Sequence, residues 1–375
     1  MSSGGRAEVA REFARIYGHS PVVLASAPGR VNLIGEHTDY NGGFVLPTAI
    51  PQRTWVALSR SRDDMVRAWS ANLGDGGQMR GYRLAAESRA GRWIDYVQGC
   101  TQALREDGHH LDGFNLGVVS DVPLGSGVSS SAALEVSVLR GLRELFGLAL
   151  DEVQVALLGQ RAENDFVGAP VGVMDQMAAS LADEHTALFL DTRTLECKRV
   201  SLPPGASLIV VNSGVAHKHA SGDYRTRRAE CERAAALLGV IQLRDLSVAD
   251  LGRADSLPEP LGRRVRHVVT ENQRVLDAVQ SMESGDLPGL GALFVDSHTS
   301  QRDDYGVSVP EIDLLVELAC SQPGVFGARL TGGGFGGSIV ALAESAAAVD
   351  AARGIAEAYS ARSHIPAAIL VPRIS

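Results

Sequence analysis

The chain has 375 residues, of which 45% are apolar, 21% charged and 5% aromatic, and its formal net charge is −9. That length accommodates two domains, each with its own core, and the acidic balance gives no reason to expect nucleic acid as a partner. No apolar run approaches the 18 or more residues that a membrane helix needs, so no membrane association is expected.

The opening stretch, "MSSGGRAEVAREFARIYG", lacks the apolar core of a signal peptide, because Arg11 and Glu12 interrupt it. It reads as a loose start followed by an amphipathic helix. Strand-like segments follow at Pro21–Ser26, Phe44–Ile50 and Thr54–Ser59, an antiparallel-looking opening. Between the first two runs "APGRVNLIGEHTDYNGGFVLP", which crowds Glu36, His37 and Asp39 into a loop beside Arg30. Carboxylates and an imidazole placed this way suit paired hydrogen bonds to vicinal sugar hydroxyls. A solvated turn would carry the same charges, and spacing alone does not choose between the two. Metal binding through His37 and Asp39 lacks a third ligand at matching spacing.

The segment "DVPLGSGVSSSAA" leads into a helical pattern with Leu134, Val138, Leu142 and Leu145 on one face. Unsatisfied N–H groups and the positive end of the dipole at a helix start suit a phosphate. Glycines at 125 and 127 let the backbone approach it closely. Ser129, Ser130 and Ser131 add hydroxyl donors, and the last can reach a cation held by the phosphates. A serine-rich helix cap is the alternative. No G-x-x-x-x-G-K-[ST] occurs anywhere, so P-loop mechanics do not apply. A further helix is expected from the N-cap Asp151 to Gly168, with Pro170 beyond it. Asp175, in "PVGVMDQMAASLA", stands near a helix start, where capping aspartates also stand.

The Pro-Pro break in "SLPPGASLIVVNSG" marks a domain boundary, giving domains 1–203 and 204–375. Beyond it, helices at about Ala220–Leu238, Arg263–Ser281 and Pro310–Cys320 alternate with strands at Ser207–Asn212, Gly327–Leu330, Ser338–Leu342 and Ala367–Val371. This alternation suggests an α+β layer. "TGGGFGGS" (Thr331–Ser338) formally satisfies G-x-G-x-x-G, but a dinucleotide fingerprint requires a helix to follow. "SIVALAE" follows instead and reads as a strand, so the loop is taken as a strand-to-strand connection. Cys100, Cys197, Cys231 and Cys320 include no C-x-x-C pair. That excludes the usual zinc and disulfide frameworks and points to a reducing cytoplasm. The only lysines are Lys198 and Lys218, so an anionic ligand must be met by arginine, backbone amides or a metal.

Taken together, "GRVNLIGEHTDYNGGFVLP", "PLGSGVSSSAALE", "TGGGFGGS", "RRAECE" after Tyr224 and "RDDYGVSVPEID" resemble the galactokinases of the GHMP small-molecule kinase superfamily, nearly end to end. Val128 stands where leucine is usual in that family, and Ala133 where serine is frequent. The resemblance implies an α+β fold of two domains, the first like the second domain of ribosomal protein S5, the second ferredoxin-like, with the active site between them. It implies phosphorylation of D-galactose at the C1 hydroxyl by ATP with Mg²⁺, by a single chain working as a monomer. By position it makes Asp175 and Arg30 the catalytic pair, and Glu36, His37, Asp39, Gly172 and Tyr224 the sugar-binding residues. Gly125, Ser126, Gly127, Val128, Ser129, Ser130 and Ser131 match the triphosphate loop, and Trp93 falls near the expected adenine. Ser131 and Glu163 match the Mg²⁺-associated pair. Rival readings are a sugar-1-kinase for N-acetylgalactosamine or L-arabinose, or a non-catalytic sensor of galactose and ATP. Thr38 and Asn41 favour plain galactose, and Glu36 suits a sixth-carbon hydroxyl that arabinose lacks. The retained serines, Glu163 and Asp175 favour an enzyme.

Overall fold

Residues 3–72, 77–216 and 220–372 are described by the structure, a computed structural model. In the first half, the elements are α1 (Ser3–Tyr17), β1 (Val23–Asn32), β2 (Phe44–Val45), β3 (Pro47–Arg60), β4 (Met65–Ser70), β5 (Arg80–Arg83), α2 (Ile94–Glu106), β6 (Phe114–Ser120), α3 (Ser130–Phe146), α4 (Glu152–Arg161) and α5 (Met174–Leu181). Then come β7 (Thr186–Asp191), β8 (Cys197–Ser201), β9 (Ala206–Ala216), α6 (Ala220–Leu238), α7 (Leu261–Ser284), α8 (Leu287–Ser300), α9 (Pro310–Cys320), β10 (Val325–Thr331), β11 (Gly336–Glu344), α10 (Ala348–Ser363) and β12 (Ala368–Val371).

The chain forms two compact units, each assembled from more than one stretch of sequence. One compact unit comprises Met1–Arg30, Ile50–Pro123 and Ser129–Leu181; the other comprises Val31–Ala49, Leu124–Val128 and Ala182–Ser375. The chain passes between them within β1 and within β3. For the same reason the two strands expected at Phe44–Ile50 and Thr54–Ser59 are not separate. Residues 47–60 run as one strand, and only Phe44–Val45 form a short strand before it.

The first unit is built on a five-stranded sheet in the order β1-β3-β6-β4-β5. Pairing is antiparallel for β3–β6 and β4–β5 and parallel for β4–β6. Because side chains alternate along a strand, Val56 and Leu58 pack with Val97, Leu104, Val138, Leu142 and Val155 of the helices. Ala57 packs on the opposite face with Val9 and Phe13 of α1. The expected stripe on α3 is buried in full, Leu134, Val138, Leu142 and Leu145 being at most 7% exposed. Asp151 caps α4 as expected, exchanging hydrogen bonds with Gln154 in a capping box. The helix continues as a π-helical segment, Ala162–Val167, and stops at Gly168 in the left-handed conformation. Such one-turn expansions recur at functional sites, and this one carries Glu163.

The second unit has an all-antiparallel sheet in the order β10-β11-β9-β12. Numbered along the chain, that order is 2-3-1-4, the split βαβ arrangement of ferredoxin-like folds. Ile209, Val211, Leu330 and Ile339 form its buried face with Ala234, Val268, Leu315 and Ile355 of the helices. The four strands read from the sequence are all present, the first three longer than expected and the last one residue shorter. A smaller sheet, β2-β7-β8, belongs to the same unit. No helix among the described residues is long and apolar enough to cross a membrane.

Candidate active site

In the first unit, β1 delivers Arg30 and the first turn of α5 delivers Asp175. Arg30 donates to Asp175 Oδ1 from Nε at 2.8 Å and from Nη2 at 2.6 Å. Ser129 Oγ donates to Oδ2 of the same carboxylate in a short hydrogen bond. Ser129 directly precedes α3 at φ 59°, a left-handed conformation unusual for a residue with a side chain, and it makes no side-chain capping bond. Its hydroxyl is therefore spent on Asp175, not on the helix. The guanidinium is 4% exposed and the carboxylate 24% exposed. Gly172 is buried just ahead of α5.

Behind this pair lies a buried acid cluster. Gln176 Nε2 donates to Glu163 Oε2 at 2.8 Å and to Glu135 Oε2 at 2.9 Å, while Glu135 Oε1 is buried without a hydrogen-bond partner. Burial, and next the nearby Asp175 charge, push the Glu163 carboxyl up to about 7, against a hydrogen bond from Ser131. Burial and Glu163 push Glu135 up as well. Three acids faced by one arginine create a demand for positive charge, so Glu163 and Ser131 could hold a cation. Among the described residues no group of three His, Cys, Asp or Glu could hold a metal by itself. Trp93 packs against the core of this unit, and its indole nitrogen is buried without a partner.

In the second unit, Glu36, His37 and Asp39 do lie on one turn after β1, but not as a solvated one. Glu36 is 1% exposed. Its carboxylate is clamped by Arg329 and by the Gly332 N–H, the latter at 3.0 Å. Each oxygen of the Glu36 carboxylate thus lies against one protein group. Arg329 is fully buried and also donates to the Leu33 carbonyl at 3.0 Å and to Glu271 at 3.3 Å. Glu271 in turn accepts the Gly35 N–H at 2.9 Å. Burial alone would raise the Glu271 carboxyl, yet Arg274 and Arg329 hold it down at about 2. This buried network fixes the turn. His37, at φ 64°, sits among Tyr40, Tyr224 and Tyr305, with ring centroids 5.9, 5.4 and 4.7 Å away. Burial, and then His267, hold the imidazole neutral with its pKa down at about 3. Asp39, half-buried, opens a short 3₁₀ turn whose main chain is pinned by Thr192 at 3.0 Å.

The two glycine loops meet within this unit. The Thr331–Ser338 loop joins the antiparallel strands β10 and β11, as the sequence suggested. Ser338 Oγ donates to the Ser126 carbonyl at 2.7 Å. A Cβ on Gly332 would stand 2.6 Å from the Gly127 carbonyl oxygen, and one on Gly337 3.2 Å from that of Ser126. The glycines are therefore needed for backbone-on-backbone contact, with φ of 68° and 72° at Gly125 and Gly127.

Reading the sequence did not single out Arg329, Glu271, Tyr40, Tyr305, Glu135 or Gln176. An arginine inside the apolar strand "VFGARLT" was an available signal, since buried charges are retained only with partners. The others carried none short of knowing which distant segments meet.

Residues 95–183 match the GHMP kinase N-terminal domain and residues 278–361 the GHMP kinase C-terminal domain. Folds of this class recur at low identity, as in the mevalonate kinase of L. major, with TM-score 0.64 at 20% identity, covering 90% of this chain and 94% of that one. Fold and serine loop thus define a GHMP kinase. Residues 11–60 match the galactokinase galactose-binding signature. A galactokinase of Streptomyces coelicolor is 46% identical over 98% of this chain and 95% of its own length. One of Roseiflexus is 43% identical over 98% and 95%. The structure of Lactococcus lactis galactokinase complexed with galactose aligns with TM-score 0.91 at 33% identity, covering 97% and 96% of the two chains. The chain belongs to the galactokinase family, kinases of galactose.

Proposed function

We propose that the chain transfers the γ-phosphoryl group of ATP to the C1 hydroxyl of D-galactose, with Asp175 and Arg30 as the catalytic pair. The observation that carries this reading is the Arg30–Asp175–Ser129 constellation, a carboxylate fixed through both of its oxygens in a kinase that also bears the galactose signature. Phosphoryl transfer asks mostly for positioning and charge neutralisation. Asp175 holds the C1 hydroxyl through its proton and takes that proton as the oxygen–phosphorus bond forms and the bond to ADP breaks. Arg30 orients the carboxylate and offsets charge on the phosphoryl oxygens. The lysine-free loop Gly125–Ser131 presents amide donors to the phosphates. Glu36, His37, Asp39, Gly172 and Tyr224 grip the sugar, Glu36 also securing the turn through Arg329, and Trp93 lies toward the adenine. Mg²⁺, held by Ser131 and Glu163, supplies the remaining neutralisation of the triphosphate. The four cysteines are all free, which supports a reducing cytoplasm.

Turnover of purified protein in a coupled ADP-release assay tests this reading. Galactose should be turned over far faster than N-acetylgalactosamine or L-arabinose. Absence of turnover with every sugar, alongside intact ligand-induced thermal shifts, would favour a sensor instead.

A further inference from the structure

Resting on the sugar-binding role proposed above for His37 and Tyr224, we propose that Arg227 and Glu230 are positioning residues for the sugar pocket. They act through Tyr305, whose ring they hold against His37. Two segments without a part in the chemistry so far, "RRAECE" (227–232) and "RDDYGVSVPEID" (302–313), meet here within one unit. The π-helical segment Gln301–Tyr305 ends at Gly306 in the left-handed conformation, and the last carbonyls of a helix have no partner inside it. The carbonyls of Asp304, Tyr305, Gly306 and Val307 are all answered from other elements. Arg264 Nη1 donates to that of Asp304 at 2.6 Å, Arg227 Nε to that of Tyr305 at 2.8 Å, and Arg227 Nη2 to that of Gly306 at 3.1 Å. The Phe335 N–H, in the second glycine loop, donates to that of Val307 at 2.7 Å.

Glu230 lies between the two guanidiniums, and one of its oxygens accepts from Arg227 at 3.1 Å and from Arg264 at 2.7 Å. A planar fork held by one carboxylate and two carbonyls keeps little freedom to turn. What it fastens is Tyr305. That side chain is fully buried, its ring centroid 4.7 Å from that of His37 and 4.4 Å from that of His267. Arg264 lies 5.7 Å from the same centroid, within cation–π range. Arg227 also follows Tyr224 by three residues on α6, and residues three apart share a helix face. One helix therefore carries both Tyr224, 5.4 Å from His37 between ring centroids, and the anchor of the other tyrosine against His37. Without the anchor the Tyr305 ring shifts, and the imidazole loses the neighbour that sets its place. Sugar contacts loosen first, because binding geometry depends on that place.

Steady-state kinetics of the full chain in the ADP-release assay test the clamp. Arg227→Met should raise galactose KM about tenfold, the worth of one hydrogen bond to a charged group, and by more than kcat falls. The thermal shift produced by ATP should persist. Arg227→Lys keeps the charge without the fork and should not restore KM. Tyr305→Leu removes the ring through which the clamp acts, so its effect on KM and that of Arg227→Met should combine to less than their sum. Glu230→Gln, a smaller change, should raise KM in the same direction. An unchanged KM in Arg227→Met, full rescue by Arg227→Lys, additivity with Tyr305→Leu or an equal loss of the ATP shift overturns the clamp. Where the methionine variant does not fold, an unchanged KM in Glu230→Gln does the same. Wild-type protein that turns over no sugar removes the kinase reading and this inference with it. Wild-type turnover with unaffected variants removes this inference alone.

Discussion

Arg30 binds one oxygen of Asp175 twice and leaves the other to the hydroxyl of Ser129. A carboxylate held through both oxygens has little freedom to rotate, so its position is set before substrate arrives. Asp175→Asn cannot accept on the amide side as the carboxylate does. It should lower kcat on the order of 10²-fold or more, as expected for loss of a general base, with galactose binding partly retained. Wild-type turnover in a folded variant would refute the assignment.

Asp39→Ala should raise galactose KM and shrink the thermal shift that galactose produces, while the shift produced by ATP persists. The side chain is half-buried and its turn is tied down through the main chain, so the fold should tolerate its loss. Equal loss of both responses would mean that the turn itself had collapsed.

Ser131→Ala and Gly127→Val separate metal from phosphate. The first leaves the amide cradle intact and should appear as slower turnover with a weaker Mg²⁺ dependence. The second puts a branched side chain at φ 72°, with its Cβ 3.2 Å from the Thr331 carbonyl oxygen, and should abolish ATP binding. A wild-type Mg²⁺ titration curve in Ser131→Ala would reduce that serine to a helix residue.

Arg329→Met should destabilise the protein by about 3–5 kcal/mol, because it leaves Glu36 buried without its cationic partner and Glu271 with Arg274 alone. Adding Glu36→Gln should recover part of this loss, a non-additivity readable in urea midpoints. A change under 1 kcal/mol, roughly the worth of an exposed pair, would show that the network does not secure the turn.

His37 and His267 should each contribute a loss of stability as pH is lowered from 6.5. Glu163 and Glu135 oppose it, because their raised carboxyls take up protons in the fold before they do in the unfolded chain. His37 and His267 titrate at 6.5 when exposed, but burial lowers them to about 3 and about 4 in the fold. Between pH 6.5 and 4 the unfolded chain therefore binds protons that the folded chain does not, at about 1.4 kcal/mol per pH unit for each group. Glu271, depressed from 4.5 to about 2, adds a further loss below pH 4.5. Urea midpoints across pH 4–8 would check this: relative to the wild type, His267→Gln should lose about 1.4 kcal/mol less stability per pH unit between 6.5 and 4.

The parts legible in the sequence are those whose signal is local. The stripe on α3, the cap at Asp151 and the strand after "TGGGFGG" each follow from a few neighbouring residues. The single strand 47–60 was obscured by Pro51, which the strand accommodates. Arg329, Glu271 and Tyr305 went unread because their partners lie far off: Arg329 answers to Leu33, 296 residues away. Glu36 was legible as a polar residue of the turn, and only the fold reveals its buried pairing with Arg329.

The nesting of the two glycine loops also has a meaning in time. Ser338 reaches the Ser126 carbonyl across 212 residues of chain, and contacts of such separation close late, since a long loop must be ordered first. On the ribosome the serine loop emerges when about a third of the chain has been made, and its companion follows only near the end. A nascent or truncated chain that stops before Thr331 carries Asp175 and every serine of the loop, yet lacks one wall of the nest. Such a chain should bind ATP more weakly than the full chain, which the thermal shifts that ATP produces in the two would show.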